Sequence, residues 1–410
     1  MNLLLINHYA GSLRHGMEFR PFYLAREWVR LGHRVQIVAS SRSHVRAQAP
    51  ELNGRAQLDE IIDGVHYRWL ATPAYRGNSA ARFVNILAFV AQLTRQARAL
   101  ASEFAPDVVI ASSTYPLDIW PAHRIARLAG ARLLFELHDL WPLSPMELGG
   151  YSRWHPFIML LQAAENHACR HADAIVSILP NVRAHLEAHG MAPHKLHIVP
   201  NGVDPAEWLQ QSDALPAAAH ALLERLRQEG RRIVGYAGSH GLANALATLL
   251  EAAALLRDAP RLAVVLVGGG PEKPRLQARA AELGLTNVFF LDPVAKAQVP
   301  ALLRRFDVAY IGWQKRRLYQ HGIAPNKLID YMMAACPILH AVEAGNDPVR
   351  EAGCGLTVAP EDPDAVVRGL LTLLAMPAGE RAAMGARGRE FALTHLNYSV
   401  LGQRFLQACI

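Results

Sequence analysis

The sequence predicts an α/β protein made of two doubly wound parallel-sheet domains. Short apolar runs alternate with longer segments of helical periodicity along the whole chain. This alternation is typical of β-α-β units in parallel sheets. The pattern starts again after a turn-rich string at residues 200–205, and a length of 410 residues fits two domains.

The predicted domains cover residues 1–200 and 205–388, and we leave open whether a terminal helix at 389–410 packs back on the first domain. In the first domain the apolar runs predict strands at 3–7, 34–39, 108–112, 132–136, 174–177 and 197–199. In the second domain they predict strands at 232–236, 263–267, 288–291, 308–311 and 337–339.

The composition indicates a well-packed protein of a reducing compartment. Apolar residues make up 51% and charged residues 19%, which permits a large core and argues against disorder. The four cysteines are widely spaced and form no C-x-x-C motif. No apolar run reaches the roughly 18 to 20 residues that span a bilayer, and no cleavable leader is recognisable. We therefore expect a cytoplasmic protein.

The net charge is +7, with most of the excess in the first half of the chain. A basic surface favours phosphate-rich ligands or anionic lipid, but it is also common on ordinary solvated proteins. We expect no nucleic-acid partner. Residues 82–100 combine apolar positions with Arg82, Arg95 and Arg98, so this segment is either a peripheral contact with the inner face of the membrane or a helix packed on the sheet.

A glycine-rich turn, Gly268-Gly269-Gly270, follows one predicted strand, and a helical pattern begins at Lys273. Glycines at the carboxyl end of a strand let a ligand approach the backbone, and the following helix offers unpaired amides to an anion. A tight turn without a ligand is the alternative. Because Lys273 stands where a dinucleotide-binding fingerprint has its last glycine, the motif argues against a dehydrogenase.

The segment from Pro325 to Asp330 is more informative. Pro325 precedes a predicted helix, Asn326 is its predicted N-cap, and Lys327 lies in the first turn, where a cation opposes the helix dipole. An anion such as a diphosphate would compensate that charge. Asp330 lies on the same face and could accept hydrogen bonds from ribose hydroxyls. The alternative is a surface lysine with an ordinary neighbour three residues on.

Two further loops follow first strands. Gly238, Ser239 and His240 come after the first strand of the second domain, where backbone amides can cradle a phosphate. Gly11 and Gly16 occupy the corresponding place in the first domain, which predicts a phosphate or acceptor loop.

His138 follows another predicted strand, at the end of the sheet where open α/β proteins bind ligands. It could donate to a sugar hydroxyl or stabilise phosphate charge, and Asp139 could orient it or instead cap the next helix. No H-E-x-x-H or D-x-D spacing is present in a suitable context and the histidines are dispersed, so we predict no metal site and no cofactor. A G-x-S-x-G nucleophile elbow is also missing.

Together these motifs resemble the GT-B, family-four retaining glycosyltransferases, over nearly the whole chain. The segments that carry the resemblance are 199–204, 267–272, 290–294 and 327–335. It implies two Rossmann-like domains facing a central cleft, with a nucleotide-sugar donor in the C-terminal domain. The backbone from Leu291 to Val294 would meet the base, Asp330 the ribose and Lys327 the diphosphate, and His138 would lie near the transferred sugar.

The sequence departs from that family at two places. The family carries two glutamates separated by seven residues, whereas Gly322 and Asp330 occupy these positions. Ser239 and His240 stand near the place of a usual arginine and lysine. The Pro325-Asn326-Lys327 pattern resembles the branch that acts in O-antigen, capsule and exopolysaccharide assembly, near the L-fucosamine-type aminosugar transferases.

The expected activity is transfer of a hexosyl or N-acetylhexosaminyl unit from a nucleoside-diphosphate sugar, with UDP favoured, to a hydroxyl of a glycan or polyprenyl-diphosphate-linked acceptor. The resemblance implies retention of the anomeric configuration, with His138 and Lys327 as the catalytic residues. A nucleotide-sugar epimerase and a non-catalytic nucleotide-sugar-binding protein remain as alternatives.

Overall fold

The computed structural model describes residues 1–75, 77, 80–210, 214–257, 259 and 261–410. Their contacts divide the chain into two units. Unit 1 comprises Met1–Asn201 together with Tyr398–Ile410, and unit 2 comprises Gly202–Asn397.

Both units are built from alternating strands and helices. The strands are β1 (Asn2–Ile6), β2 (Arg34–Ser40), β3 (Gln57–Ile62), β4 (Val65–Leu70), β5 (Val108–Ala111), β6 (Arg132–Leu137), β7 (Ala174–Ser177), β8 (Leu196–Ile198), β9 (Arg232–Ala237), β10 (Leu262–Val267), β11 (Val288–Leu291), β12 (Val308–Gly312), β13 (Ile338–Ala341) and β14 (Gly355–Val358). The α-helices are α1 (Arg20–Arg30), α2 (Ala80–Ala99), α3 (Ile119–Ala129), α4 (Leu143–Gly149), α5 (Pro156–His171), α6 (Arg183–Ala188), α7 (Pro205–Leu209), α8 (Ala217–Gln228), α9 (Leu246–Leu255), α10 (Lys273–Glu282), α11 (Val299–Leu303), α12 (Asn326–Met333), α13 (Pro348–Ala352), α14 (Pro363–Ala375), α15 (Ala378–His395) and α16 (Tyr398–Gln407). A π-helical turn, Leu100–Phe104, follows α2, and 3₁₀ turns lie at Pro116–Asp118, Pro193–Lys195, Leu242–Asn244, Lys296–Gln298 and Arg317–His321.

The sheet of unit 1 has the order β3-β4-β2-β1-β5-β6-β7-β8. Its strands are parallel except β3, which pairs antiparallel with β4. The sequence analysis did not find this β3–β4 hairpin. Strand β3 lies at the edge of the sheet, and most of its residues are at least partly exposed. Charged residues interrupt its sequence, so it lacks the continuous apolar run by which the buried strands were predicted.

The sheet of unit 2 is fully parallel and has the order β11-β10-β9-β12-β13-β14. The order reverses direction between β9 and β12, as in doubly wound folds. Both faces of this sheet are covered by helices, since successive residues of a strand point to opposite faces and both sets are buried. Ile233 and Val265 belong to the hydrophobic cluster on one face, and Val234 and Val264 belong to the cluster on the other. The predicted fold class, two doubly wound α/β units, is confirmed.

The C-terminal segment belongs to the core of unit 1. Helix α16 packs on α1, where the Trp28 indole donates to the Gly402 carbonyl at 3.1 Å and its ring lies 5.0 Å from that of Phe405. The prediction of one terminal helix at 389–410 is wrong, because α15 ends at His395 and a new helix, α16, begins at Tyr398. Among the described residues, every helix is too short or too polar to cross a membrane.

Candidate functional site

In unit 2 the predicted donor residues gather at the carboxyl ends of β9, β10 and β12. This is the edge of the sheet where the strand order reverses, and doubly wound sheets bind ligands at such points because the connecting loops diverge there. The loop after β9, the glycine turn after β10 and the start of α12 contain these residues.

The glycine turn after β10 packs against the loop after β9. A Cβ atom on Gly268 would lie 1.9 Å from the Gly238 carbonyl oxygen, and one on Gly270 would lie 2.6 Å from that of His240. The His240 amide also donates to the Gly269 carbonyl at 2.8 Å. Protein backbone, rather than a ligand, therefore explains the need for glycine at 268 and 270. Among the described residues, nothing accepts from the amides of Gly269 and Gly270, so these donors remain available.

Lys327 lies in the first turn of α12, as the sequence predicts. Asn326 is not the N-cap: Pro325 occupies that position with an extended backbone, and Asn326 is the exposed first residue of the helix. The Lys327 ammonium donates to the Tyr236 hydroxyl at 3.0 Å and to the Asn244 side-chain oxygen, and it lies 4.9 Å from the centre of the Tyr236 ring.

These partners of Lys327 are all neutral. Among the described residues, no carboxylate forms an ion pair with it, and burial lowers the pKa of the ammonium to about 8. The amides at the start of α12 add partial positive charge at the same place. The site therefore holds a positive charge that the described part of the protein leaves uncompensated.

His240 and Ser239 differ in exposure. The His240 ring is fully buried beneath the glycine turn, and neither ring nitrogen has a hydrogen-bond partner among the described residues. Burial, reinforced by Lys273 and Lys327, lowers the pKa of His240 to about 4, so the ring is neutral at pH 7. Ser239 is exposed, and its carbonyl accepts from the Tyr236 hydroxyl at 2.6 Å. In this arrangement the exposed Ser239, rather than the His240 ring, is available to a ligand.

Asp330 lies one turn further along α12. Burial raises the pKa of its carboxyl to about 6, although Lys296 and the Trp208 indole lower it. Leu291 and Val294 pack against the apolar cluster that contains Trp208. The Trp208 indole is thus close enough to affect the pKa of Asp330, but its nitrogen has no hydrogen-bond partner among the described residues.

Gly322 lies in the loop that leads into α12. Its backbone has φ +102° and ψ 172°, a conformation essentially restricted to glycine. The next residue is held by Asn346, whose side chain accepts from the Ile323 amide at 2.8 Å and donates to its carbonyl at 3.1 Å. Glycine at position 322, in place of the first glutamate of the family pattern, therefore matches the backbone conformation of this loop.

In unit 1, His138 follows β6 and belongs to a buried network. Its Nε2 lies 3.1 Å from the Ser112 hydroxyl and 3.3 Å from the Glu136 carboxylate. Glu136 also accepts from Ser112 at 2.6 Å and from the Arg20 Nε at 2.9 Å. Arg20 uses its remaining nitrogens on the carbonyls of Val199 and Pro200. Although burial opposes ionisation, Arg20, His138 and Ser112 lower the pKa of Glu136 to about 2.

The carboxylate next to His138 in the network is thus Glu136. Asp139 instead fixes the turn before α4: it accepts from the Leu140 amide at 2.9 Å, from the Trp141 indole at 3.2 Å and from the Ser144 hydroxyl at 2.5 Å. Burial raises the pKa of Asp139 despite these donors.

Gly11 and Gly16 direct their amides into their own loop. The Gly11 amide donates to the Glu18 carbonyl at 2.7 Å, and the Gly16 amide donates to Ser12 at 2.8 Å. A Cβ atom on Gly11 would lie 1.8 Å from the Gly16 carbonyl oxygen. These two amides are therefore occupied within the loop, and an acceptor contact of the loop stays a prediction.

Sequence reasoning also missed three buried charged residues near the end of this sheet: Arg20, Glu136 and Asp118. Glu136 could have been found as the one charged residue inside the apolar run 133–137. Asp118 accepts from the Ser113 amide at 3.1 Å, and burial raises the pKa of its carboxyl to about 7. A buried carboxyl that titrates near neutrality is more frequent at functional sites than elsewhere.

Two family descriptions match the chain. Residues 15–202 match the Glycosyl transferase 4-like domain, and residues 231–376 match the Glycosyl transferases group 1 family. Between them they cover most of both units.

Named relatives are also glycosyltransferases. The protein named as the colanic acid biosynthesis glycosyl transferase WcaI of Escherichia coli K12 is 26% identical over 69% of this chain and 68% of its own length. The 2-deoxystreptamine glucosyltransferase of Streptomyces kanamyceticus is 29% identical over 58% of this chain and 59% of its own length. For the second relative, the chain spans less than two thirds of its length.

The fold likewise matches solved structures. HepE of Anabaena, crystallised with UDP and glucose, superposes with a TM-score of 0.68 at 16% identity, covering 99% of this chain and 98% of that one. WaaG, a glycosyltransferase involved in lipopolysaccharide biosynthesis, gives a TM-score of 0.66 at 15% identity, with 98% of each chain covered. The first half of the chain therefore matches a Glycosyl transferase 4-like domain and the second half the Glycosyl transferases group 1 family, and the chain as a whole has the fold of the GT-B glycosyltransferases.

Proposed function

We propose that this glycosyltransferase moves a hexosyl or N-acetylhexosaminyl unit from a nucleoside-diphosphate sugar, with UDP as the favoured nucleotide, to a hydroxyl group. The observation that carries the proposal is the uncompensated charge of Lys327 at the start of α12. A diphosphate supplies the missing negative charge, and its charge increases as the sugar leaves. HepE, which shares the fold, was crystallised with UDP-glucose.

The residues of unit 2 divide among the parts of the donor. Lys327 and the open amides of Gly269 and Gly270 bind the diphosphate, with Ser239 at its exposed edge. Asp330 accepts hydrogen bonds from the ribose, and the backbone from Leu291 to Val294 contacts the base. Gly238 leaves space beside Lys327, since a Cβ atom there would lie 3.2 Å from the Tyr236 hydroxyl and 3.5 Å from the Lys327 side chain.

The transfer retains the anomeric configuration. The bond between the sugar C1 and the leaving phosphate oxygen breaks, and a bond from C1 to the acceptor oxygen forms on the same face. The acceptor proton passes to the leaving phosphate, so the reaction requires no enzyme carboxylate as nucleophile. In unit 1, His138 is the residue that contacts the transferred sugar, with its ring oriented by Glu136 and Ser112. Since Lys327, the open amides of Gly269 and Gly270 and the start of α12 together face the diphosphate with positive charge, we propose that no metal or cofactor is needed.

The acceptor is a glycan or polyprenyl-diphosphate-linked sugar in surface polysaccharide assembly, and the donor carries either a hexosyl or an N-acetylhexosaminyl unit. The names of WcaI, with colanic acid, and of WaaG, with lipopolysaccharide, support this class of product. The Pro325-Asn326-Lys327 pattern supports the aminosugar branch.

A lipid-linked acceptor calls for contact with the inner face of the membrane, and unit 1 carries a suitable surface. Ile86 and Phe89 of α2 are buried, whereas Val84 and Leu87 are exposed. Phe83 contacts Phe157 at the start of α5, at 5.1 Å between ring centres. The segment from α4 to α5 carries further exposed apolar side chains, namely Leu148, Tyr151, Trp154 and Met159. Arg153 covers the Trp154 ring, a pairing suited to anionic headgroups. Flotation with anionic liposomes at low salt tests this contact, and no binding would exclude it.

The decisive test of the function is a donor panel assayed with and without a lipid-linked acceptor. Transfer should require the acceptor and proceed with one donor class. Turnover of the donor sugar without an acceptor would instead identify an epimerase, and binding without turnover a non-catalytic protein. Lys327→Ala should abolish donor binding in a folded protein, whereas Lys315→Ala, which removes an exposed lysine of the same unit, should leave binding intact.

A further inference from the structure

Unit 1 contains a cluster of metal-ligating side chains away from the transfer site. Glu165 on α5, His185 on α6 and His189 immediately after α6 each offer one ligand atom, and these atoms lie within 4.8 Å of one another. The two histidines are four residues apart, the spacing that places both rings on one face of a helix. Their rings lie 4.4 Å apart, centre to centre.

The distances in this cluster fit a tetrahedral ion. Zinc bonds of about 2.0 to 2.2 Å hold neighbouring ligand atoms roughly 3.3 to 3.5 Å apart. The His185 Nε2 lies 2.8 Å from one Glu165 oxygen, and the His189 Nε2 lies 3.9 Å from the other. These two separations lie on either side of the required value, and all three ligand atoms lie within 4.8 Å of one another.

Hydrogen bonds outside the cluster prepare two of the ligands. The His189 Nδ1 lies 2.7 Å from the His185 carbonyl oxygen, which can only accept, so Nδ1 carries the proton. In the neutral ring, Nε2 then has a lone pair directed toward Glu165. The Gln162 amide donates to the Glu165 carboxylate at 2.8 Å and holds it in place. Partners of this kind orient the ligands of established metal sites.

A second histidine cluster lacks these properties. His123, His167 and His171 bring their rings together between α3 and α5, with the His123 Nδ1 2.9 Å from the His167 Nε2. Among the described residues, these three rings do not each bring a ligand nitrogen within 4.8 Å of the other two, as the groups of the first cluster do. The second cluster therefore provides a matched control on the same helix α5.

We propose that Glu165, His185 and His189 bind a divalent transition-metal ion, with zinc as the representative, and that the ion fastens α6 to α5. Two histidines and one glutamate are a recognised zinc ligand set that leaves a fourth position for water. The histidine side chains are 13% and 25% exposed, so an ion can reach the cluster, whereas the Glu165 side chain is 1% exposed. Zinc binds the Nε2 lone pair of His185 in the tautomer that carries its proton on Nδ1, so the ring stays neutral and Glu165 binds as a carboxylate.

The test is zinc titration of the full chain after chelator treatment, followed by calorimetry. We expect one zinc ion per chain and a rise in the melting temperature when zinc is added. His189→Ala and Glu165→Gln should each weaken zinc binding at least 100-fold and remove that rise. Cobalt should give visible absorption bands in the wild-type chain that are lost in both variants.

The controls are His167→Ala, in the second cluster, and His194→Ala, which removes an exposed histidine of the same unit. Both should bind zinc as the wild type does. Equal weakening by His167→Ala would place the ion at the other cluster, and unchanged binding in His189→Ala and Glu165→Gln would overturn the proposal. Circular dichroism of each variant separates loss of a ligand from loss of the fold, and glycosyl transfer need not change for any outcome.

Discussion

Two charged regions at the ends of the two sheets are organised in opposite ways. In unit 1, the buried Glu136 carboxylate meets the Arg20 guanidinium, and Ser112 and two backbone carbonyls satisfy the remaining groups. In unit 2, the Lys327 ammonium meets a phenol and an amide and no described carboxylate. The first region is electrostatically complete in the folded chain, whereas the second is completed only by an anion.

The two regions differ in whether their charges stabilise the folded chain or a bound ligand. A compensated buried pair contributes to the structure, and breaking it leaves a charge without a partner. An uncompensated half-buried cation destabilises the fold and is favourable only when a ligand pairs with it. Substitutions in the two regions should therefore change stability in opposite directions.

The largest effect is expected from Glu136→Gln. It leaves the Arg20 guanidinium buried without its counter-ion, so the free energy of unfolding should fall by about 3 to 5 kcal/mol, as measured by urea denaturation. Glu103→Gln, which removes an exposed partner of Arg68, should cost about 1 kcal/mol or less. A loss below about 1 kcal/mol for Glu136→Gln would contradict the importance of the pair.

The same pair should be visible in acid. Because the pKa of Glu136 is lowered to about 2, its contribution is complete above the ordinary carboxyl range, near pH 4 to 5. The contribution is lost as the pH falls from that range toward 2. The Glu136→Gln chain should lack this part of the acid dependence.

The second-largest effect is expected from Lys327→Met, in which donor affinity should fall while the free energy of unfolding rises. Donor binding should weaken by a factor of about 100 to 1,000, since the variant loses the charge that faces the diphosphate. The ligand-free protein should gain about 1 to 3 kcal/mol in unfolding free energy at pH 7, because a pKa lowered to about 8 means that the protonated lysine destabilises the fold. Calorimetry with the donor and denaturation without it measure the two effects. Loss of stability in Lys327→Met would show that the lysine is structural.

A carboxylate placed in the loop before α12 tests whether the second region can be made to resemble the first. Gly322→Glu should lower the unfolding free energy by about 1 to 3 kcal/mol, because its backbone conformation is strained for any other residue. The matched control is Gly379→Glu at the start of α15, where a Cβ atom has open space. Equal stability of the two variants would indicate that the loop readily changes shape.

The smallest effect is the pH dependence of donor affinity. Lysine must be protonated to bind the diphosphate, so the affinity should be constant below pH 8 and fall above it, by up to about tenfold per pH unit. In Lys327→Arg the side chain stays charged throughout, and the decline should disappear up to about pH 10. An unchanged decline in that variant would assign the titration to another group.

The sequence predicted the fold better than it predicted the contacts. Parallel strands buried on both sides read as continuous apolar runs, so β9, β10 and β12 were found, whereas the charged edge strand β3 was not. Lys327 was recognised because its position in a first helical turn is a local property. Glu136 was missed because its partner Arg20 lies 116 residues away. The start of α12 was predicted one residue too late, because Asn326 is a better local cap than Pro325.

The return of the chain from unit 2 to unit 1 affects how such enzymes can be made and recombined. Residues 398–410 complete the core around Trp28, and they are synthesised only after all of unit 2. During translation, part of the apolar surface of unit 1 therefore stays uncovered until α16 has been synthesised. For the same reason, a chimera in which unit 2 is exchanged should have two junctions, near residues 201 and 397, so that α16 stays with unit 1.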